Sequence, residues 1–259
     1  MTARSPTARQ QYILRLLQEQ GEILVADLPE PLGVTSMTVW RDLRALEEQG
    51  LLRREHGRVL APGDSSRELT FEAKDPQRME TKQRIARAAA KAFLRDGDVI
   101  VLEGGTTVAA LVDELPEQRL SVVTNSLPIG QRLRERRPSL PVEMLGGWLS
   151  PVSGNTTGPN TLREVGRHHF TTCFLSATAW DPVQGPMDPN PLEIEVKRAM
   201  AAQADRVVLL LDHAKFGKTS TSVMIHPRRL HAVVTDQTPP PEVCEMLKRN
   251  GVQIIKLSM

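Results

Sequence analysis

The chain has 259 residues, 40% hydrophobic and 25% charged, with a net charge of +2. This profile excludes a disordered or fibrous chain and allows a small head plus one larger domain with its own core. Two cysteines without a C-x-x-C pair, scattered histidines without H-E-x-x-H, and no apolar run of membrane-spanning length lead us to expect no metal, no cofactor and a reducing cytoplasm. The start, Met1-Thr2-Ala3-Arg4-Ser5-Pro6, lacks the apolar stretch of a signal peptide.

In chain order, the spacing predicts a first helix over 8–20, with Tyr12, Ile13, Leu16 and Leu17 as its apolar stripe and Gly21 as its stop. A second helix is expected near Val25, made short or bent by Pro29 and Pro31, because proline lacks a backbone donor. The turn Leu32-Gly33-Val34-Thr35 leads into a helical run from Ser36 to Gly50. There Val39, Leu43 and Leu46 share one buried stripe, while Met37, Arg41 and Arg44 point away, flanked by Thr38 and Trp40. A helix buried on one side with Thr and Arg on the other suits a DNA major groove, where Arg forks onto guanine edges or phosphates. A short basic hairpin follows, with a turn at His56-Gly57, and reads as a wing. The candidate DNA contacts are Ser36, Thr38, Trp40, Arg41, Arg44, Arg53 and Arg58, with Trp40 supplying apolar or backbone contact and not reading guanine. Residues 1–60 hold eight Arg, no Lys and eight acids, so this reading rests on where the arginines point and not on bulk charge.

Residues 1–60 are thus a winged helix-turn-helix domain, 61–74 a linker by composition, and 75–259 a larger domain. A helix is expected over 75–95, with Ile85, Ala89 and Phe93 inward and Lys82, Arg87, Lys91 and Arg95 polar, either solvated or a second DNA contact. Beyond Gly97, apolar runs at 99–102, 120–123, 142–145, 173–176, 207–211, 232–234 and 253–257 alternate with helical stretches at 108–115, 127–136, 160–169, 192–204 and 241–250. Such alternation means an α/β domain with a mostly parallel sheet covered on both faces.

In such sheets ligands collect at the carboxyl ends of the strands. Here those ends carry Glu103-Gly104-Gly105-Thr106-Thr107, Thr124-Asn125-Ser126, Gly146-Gly147, and Asp212 to Lys218. Glycines allow close backbone approach, and hydroxyls at a helix start favour an anion such as phosphate. Glu103, Gly104, Gly105, Thr106, Thr107, Thr124, Asn125, Gly146, Gly147, Asp212 and Lys215 are therefore candidate effector residues, with Lys215 as the cation for phosphate. Each also has a plainer reading as turn chemistry: Asn125 as a cap, Gly146-Gly147 as a bend. His168-His169 reads as a helix-closing pair that meets the dipole, His213 as ligand-touching or loop-filling, and Trp148 and Trp180 as packing residues. Most of Glu193, Glu195, Lys197 and Arg198 read as solvated partners on one helix.

The head, through the run Val34 to Glu47 with His56-Gly57, resembles the DeoR family of bacterial transcriptional regulators. So does the body, through Lys82-x-x-Ile85-Ala86, Gly105-Thr106-Thr107, Thr124-Asn125-Ser126, Leu145-Gly146-Gly147, Glu193-x-x-x-Lys197-x-x-Met200 and Asp212-x-x-Lys215-Phe216-Gly217. The resemblance implies a repressor whose effector domain looks like ribose-5-phosphate isomerase and senses a phosphorylated sugar. The chain departs from the family at Trp40 (usually Arg), Arg58 (usually Gly), Glu103-Gly104, Pro29 and Pro31, and lacks an Asp near Thr171-Thr172. The function expected is a DNA-binding regulator, a repressor of a sugar or related catabolic operon, and its expected partners are double-stranded operator DNA, a sugar-phosphate-like effector and further copies of the chain as a dimer or tetramer. A rival is a sugar-phosphate isomerase with a DNA head, for which Glu103 and Asp212 are the acid/base candidates; another is an architectural DNA binder without a ligand.

Overall fold

The computed structural model describes residues 6–20, 22–48, 51–55, 57–60, 71, 78–117 and 119–257, and the chain divides into two compact units, 1–64 and 65–259. The expected stop at Gly21, the helix end at Gln49-Gly50, the wing residue His56 and the linker apart from Phe71 lie outside the described residues.

In the first unit the apolar spacing closes a core of Ile13, Leu17, Leu28, Leu32, Val39, Leu43, Leu46, Leu52 and Val59. Its elements are helix α1 (Pro6–Gln20), strand β1 (Glu22–Leu24), a 3-10 turn (Val25–Asp27), α2 (Pro29–Leu32), α3 (Ser36–Glu48), β2 (Arg53–Glu55) and β3 (Arg58–Leu60). The second helix is short, as expected, but is not bent. Pro29 sits in its first turn, where no amide donor is needed, and Gly33 ends it at φ 63°. Strand β1 has no counterpart among the expected elements. It pairs antiparallel with β3, Ile23 opposite Val59, so the wing is a three-stranded sheet in the order β1-β3-β2.

The second unit contains α4 (Met79–Phe93), β4 (Val99–Leu102), α5 (Thr106–Ala109) with a 3-10 extension (Ala110–Glu114), β5 (Ser121–Thr124), α6 (Leu127–Arg136) and β6 (Val142–Met144). Then come a hairpin of β7 (Trp148–Leu149) and β8 (Thr156–Thr157), α7 (Pro159–Val165), β9 (Phe170–Ser176), β10 (Ala179–Asp181), β11 (Gly185–Asp188) and α8 (Pro191–Ala202). β12 (Ala204–Leu210), a 3-10 turn (His213–Lys215), β13 (Ser222–Val223), β14 (Ala232–Thr235), α9 (Pro241–Arg249) and β15 (Gln253–Lys256) complete it.

All seven expected strands join one parallel sheet, ordered β15-β14-β12-β9-β4-β5-β6. Alternation along each strand feeds two cores: Ile100, Leu102, Val208 and Leu210 pack with Ile85, Phe93 and Leu133 on one face, and Val101, Val207 and Leu209 pack with Val196, Met200 and Val243 on the other. The chain runs β4, β5, β6 to one edge, then returns to β9 on the other side of β4. The order therefore reverses between β4 and β9, and their carboxyl ends flank the crevice where such sheets bind ligands.

Several expectations need correction. Lys82 is buried on the inward side of α4, so it is not part of a solvated basic face. Helix α7 stops at Val165, and His168 and His169 lie beyond it. His168 pairs with Glu143 at 3.2 Å and stacks on Phe170, while His169 meets Asp205 at 3.1 Å, so neither caps the helix. Trp180 is fully buried, but Trp148 is 63% exposed and is not a core residue.

Candidate functional site

Thr35 starts the reading helix: its carbonyl accepts from the amides of Thr38 and Val39 at 3.0 and 3.1 Å, and its hydroxyl lies 3.2 Å from that of Thr38. With Val39, Leu43 and Leu46 buried, the opposite face presents Ser36, Met37, Trp40, Arg41 and Arg44 to solvent, with Thr38 half-buried. Arg53 lies in β2, its side chain outside the described residues, and Arg58 begins β3 half-buried. Two features had no sequence signal. Arg9 of α1 donates to Asp42 of α3 at 2.6 and 3.2 Å in a buried pair that fixes α3 against α1. Arg54 of β2 reaches back to α3, bonding Glu47 and lying over the Trp40 ring.

At the sheet reversal, Glu103 is buried directly after β4 and faces the end of β9. Its Oε2 accepts from the Ser176 amide at 3.2 Å and the Ser176 hydroxyl at 3.3 Å. Lys197 of α8 donates to Asp188 at 2.7 Å and to the Ser176 carbonyl at 3.0 Å, and lies 3.2 Å from Glu103 Oε1. Glu193, one turn earlier, accepts from the Ser153 hydroxyl at 2.5 Å and the Asn155 amide at 3.3 Å. The reading of Glu193 and Lys197 as solvated partners is therefore wrong: both side chains point into the sheet end and are buried, whereas Glu195 and Arg198 are exposed. Burial pushes the Glu103 carboxyl above its ordinary value; Lys197 opposes this, and Asp188 and Glu193 add to it. Burial disfavours the Lys197 charge, but Asp188, Glu103 and Glu193 outweigh it and hold the ammonium well above its ordinary value.

The two glycines after Glu103 are dictated by this packing. A Cβ on Gly104 would lie 1.7 Å from Asn155 Oδ1, and one on Gly105 would lie 1.7 Å from Ser176 Oγ. Thr106 and Thr107 are both buried at the start of α5. Thr124 donates its hydroxyl to the Leu102 carbonyl at 2.7 Å, linking β5 to β4. Asn125 is not a helix cap. Its side-chain amide donates to the Thr156 carbonyl at 3.0 Å and ties β5 to the β7–β8 hairpin. Asn125 Oδ1, Asn155 Oδ1 and Ser126 Oγ are buried without a hydrogen-bond partner among the described residues.

Other strand ends carry different contacts. At the end of β6, Gly146 is exposed; its amide bonds Glu164 at 2.7 Å and its carbonyl accepts from Thr161 at 2.7 Å. Gly147 takes φ 147° against Thr161. Asp212, after β12, is buried and caps the following turn by accepting from the Ala214 amide at 3.1 Å. Lys215 ends that turn, half-buried. Arg78, unforeseen, lies 3.8 Å from Asp212 and 3.3 Å from His213, whose ring bonds Asp236 at 2.5 Å. His213 is thus held by Asp236. Ser176 had a visible signal, the end of an expected strand, whereas Ser153, Asn155 and Asp188 come from short strands and loops without one.

A helix-turn-helix with an antiparallel wing, joined in one chain to a parallel α/β unit with polar strand ends, defines a DNA-binding transcription regulator with a sensor domain. The chain belongs to the DeoR family: the DeoR-like helix-turn-helix domain matches residues 9–64 and the DeoR C terminal sensor domain matches residues 77–237. It is 31% identical over 232 residues to the HTH-type transcriptional regulator GolR of Listeria innocua, covering 89% of this chain and 91% of that protein. It is 29% identical over 249 residues to the glycerol-3-phosphate regulon repressor of Escherichia coli, covering 96% and 98%. Among solved structures, ribose 5 phosphate isomerase A from Neisseria gonorrhoeae aligns over 53% of each chain at 16% identity and a TM-score of 0.39, a likeness too slight to bear on function. No helix among the described residues is long and apolar enough to cross a membrane.

Proposed function

We propose that this regulator represses a sugar or related catabolic operon and is released by a phosphorylated sugar or similar small metabolite. Operator DNA is contacted by Ser36, Thr38, Trp40, Arg41, Arg44, Arg53 and Arg58, Trp40 by apolar or backbone contact only, in a homo-oligomer that pairs heads on symmetric half-sites. The effector lies at the strand ends. Gly105, Thr106 and Thr107 receive its phosphate, Lys215 supplies countercharge, and Glu103, Gly104, Thr124, Asn125, Gly146, Gly147 and Asp212 shape the crevice.

The observation that carries this reading is a pair of buried acceptors without partners among the described residues, Asn125 Oδ1 and Asn155 Oδ1, at the sheet reversal. Both amide nitrogens are already used, on Thr156 and Glu193, so what these oxygens lack is a donor. A hydroxyl-rich molecule brings donors. The name of the Escherichia coli relative, a glycerol-3-phosphate regulon repressor, is in keeping with a phosphorylated polyol or sugar. An isomerase reading is disfavoured because Glu103 is committed to Lys197 and Ser176 and Asp212 caps a turn. The test is a thermal-shift panel of sugar and polyol phosphates on the full chain, followed by gel retardation on the DNA upstream of its own gene. A phosphorylated compound that raises the melting temperature and releases the DNA supports the proposal; turnover of such a compound, or release by none of them, defeats it.

A further inference from the structure

We propose that Arg54 is a phosphate contact of the wing and that Trp40 and Glu47 are its positioning residues. The proposal rests on the DNA-binding reading of the head and assigns it a cation outside the expected contacts. Trp40 and Glu47 lie seven residues apart on α3, on one side of the helix. From β2, the Arg54 backbone amide donates to Glu47 Oε1 at 3.0 Å, and its side chain donates to Oε2 through Nε at 2.9 Å and Nη2 at 2.5 Å. The guanidinium carbon stands 5.0 Å from the centre of the Trp40 ring. One edge of the guanidinium is therefore on a carboxylate and one face on an indole, and among the described residues Nη1 bonds no protein acceptor.

A planar guanidinium fixed on two sides loses little rotamer freedom when it takes a third partner. Its side chain is 23% exposed, enough to reach a ligand at the surface and dry enough to strengthen the stacking. The partner that fits is an anion lying along both the reading helix and the wing, as a DNA backbone does when the helix occupies the groove. The geometry also accounts for Trp40. Its 46% exposed ring carries no charge of its own, yet it holds one from the neighbouring element in place. The position thus keeps a cation at the DNA surface by recruiting it from the wing.

The experiment uses the full chain and a mixed-sequence DNA duplex, because a phosphate contact is independent of sequence. Affinity is measured by fluorescence anisotropy across about 50 to 200 mM salt. Arg54→Ala should lower the slope of log affinity against log salt by roughly 0.9, the value for one phosphate contact. Arg54→Lys should keep the slope but weaken binding, since an ammonium does not stack or fork in the same way. Trp40→Ala should weaken binding roughly two- to fivefold in the presence of Arg54 and lose most of that effect beside Arg54→Ala. Trp40→Phe should retain most of the affinity. Melting temperatures within a few degrees of wild type show that the head is folded in each variant; should Arg54→Ala lower its melting temperature markedly, Arg54→Lys and Trp40→Phe still decide. An unchanged slope in Arg54→Ala, or a loss from Trp40→Ala that persists undiminished without Arg54, overturns the clamp while leaving the DNA-binding reading intact. No binding of any duplex by the wild type removes both.

Discussion

Gly104 has no side chain because Asn155 occupies the place one would take. An added methyl group would force the Asn155 amide away and break its bond to Glu193. Gly104→Ala is expected to destabilise the sensor by about 1–3 kcal/mol, the range for overfilling a tight interior, as read from urea unfolding. A neutral result would mean that Asn155 moves aside freely and is not part of a rigid wall. The neighbouring Glu103 gives a pH signature. Its carboxyl is raised above the ordinary value of 4.5. Its stabilising contribution is therefore full below that value and declines as pH rises through the folded-state value. Glu103→Gln removes this dependence, so the variant should gain on the wild type as pH climbs above about 4.5. A difference that stays flat, or that grows in the wild type's favour, would place Glu103 among carboxylates that fold in the charged form.

Helix α3 combines a legible half and an illegible half. Its stripe of Val39, Leu43 and Leu46 was readable because three aliphatic residues at helical spacing have one physical use. Arg41 on the other face follows from the same spacing. Arg41→Ala is expected to weaken operator binding by about 1–3 kcal/mol if it reads a base, with less effect on mixed-sequence DNA; equal losses on both would make it a phosphate contact. Asp42 was illegible, since a carboxylate within a polar run gives no hint of a buried partner 33 residues earlier. Helix α8 repeats the lesson. Glu193 and Lys197 have the four-residue spacing of a solvated pair, and only the placement of Ser153, Asn155 and Asp188 around them shows that they are buried. The seven strands of the parallel sheet were legible because apolar runs that alternate with helical stretches fit a covered parallel sheet. β7, β8, β10, β11 and β13 (Trp-Leu, Thr-Thr, Ala-Trp-Asp, Gly-Pro-Met-Asp and Ser-Val) offer no sustained apolar run to mark them. Ser153, Asn155 and Asp188, which bond Glu193 and Lys197, lie on or beside these pieces, so the partners of that buried cluster were not visible in the sequence.

Over the whole chain, the DeoR-like helix-turn-helix domain and the DeoR sensor domain fall to two units, each with its own core. A repressor built this way must convert effector binding into a change in DNA affinity, and the effector can shift that balance only by its differential affinity for the two states. A substitution confined to the effector site should then remove the response without removing DNA binding. Lys215 is the cation assigned to the phosphate, and it stands on a turn fixed by the Asp212 cap, the Asp212 carbonyl bonding its amide at 3.0 Å. That turn is short, so the side chain can be truncated while the backbone keeps its bond. Lys215→Ala is expected to bind operator as the wild type does, to lose the thermal shift given by the active sugar phosphate, and to stay on the DNA when that compound is added. An effect of roughly tenfold or more on effector affinity is in keeping with a charge-assisted contact of about 1.5–3 kcal/mol. Full release of the DNA by the same compound would move the phosphate to another strand end. Loss of operator binding in the variant would show that Lys215 serves the fold or the assembly, and that the two tasks are not divided between the units as assigned.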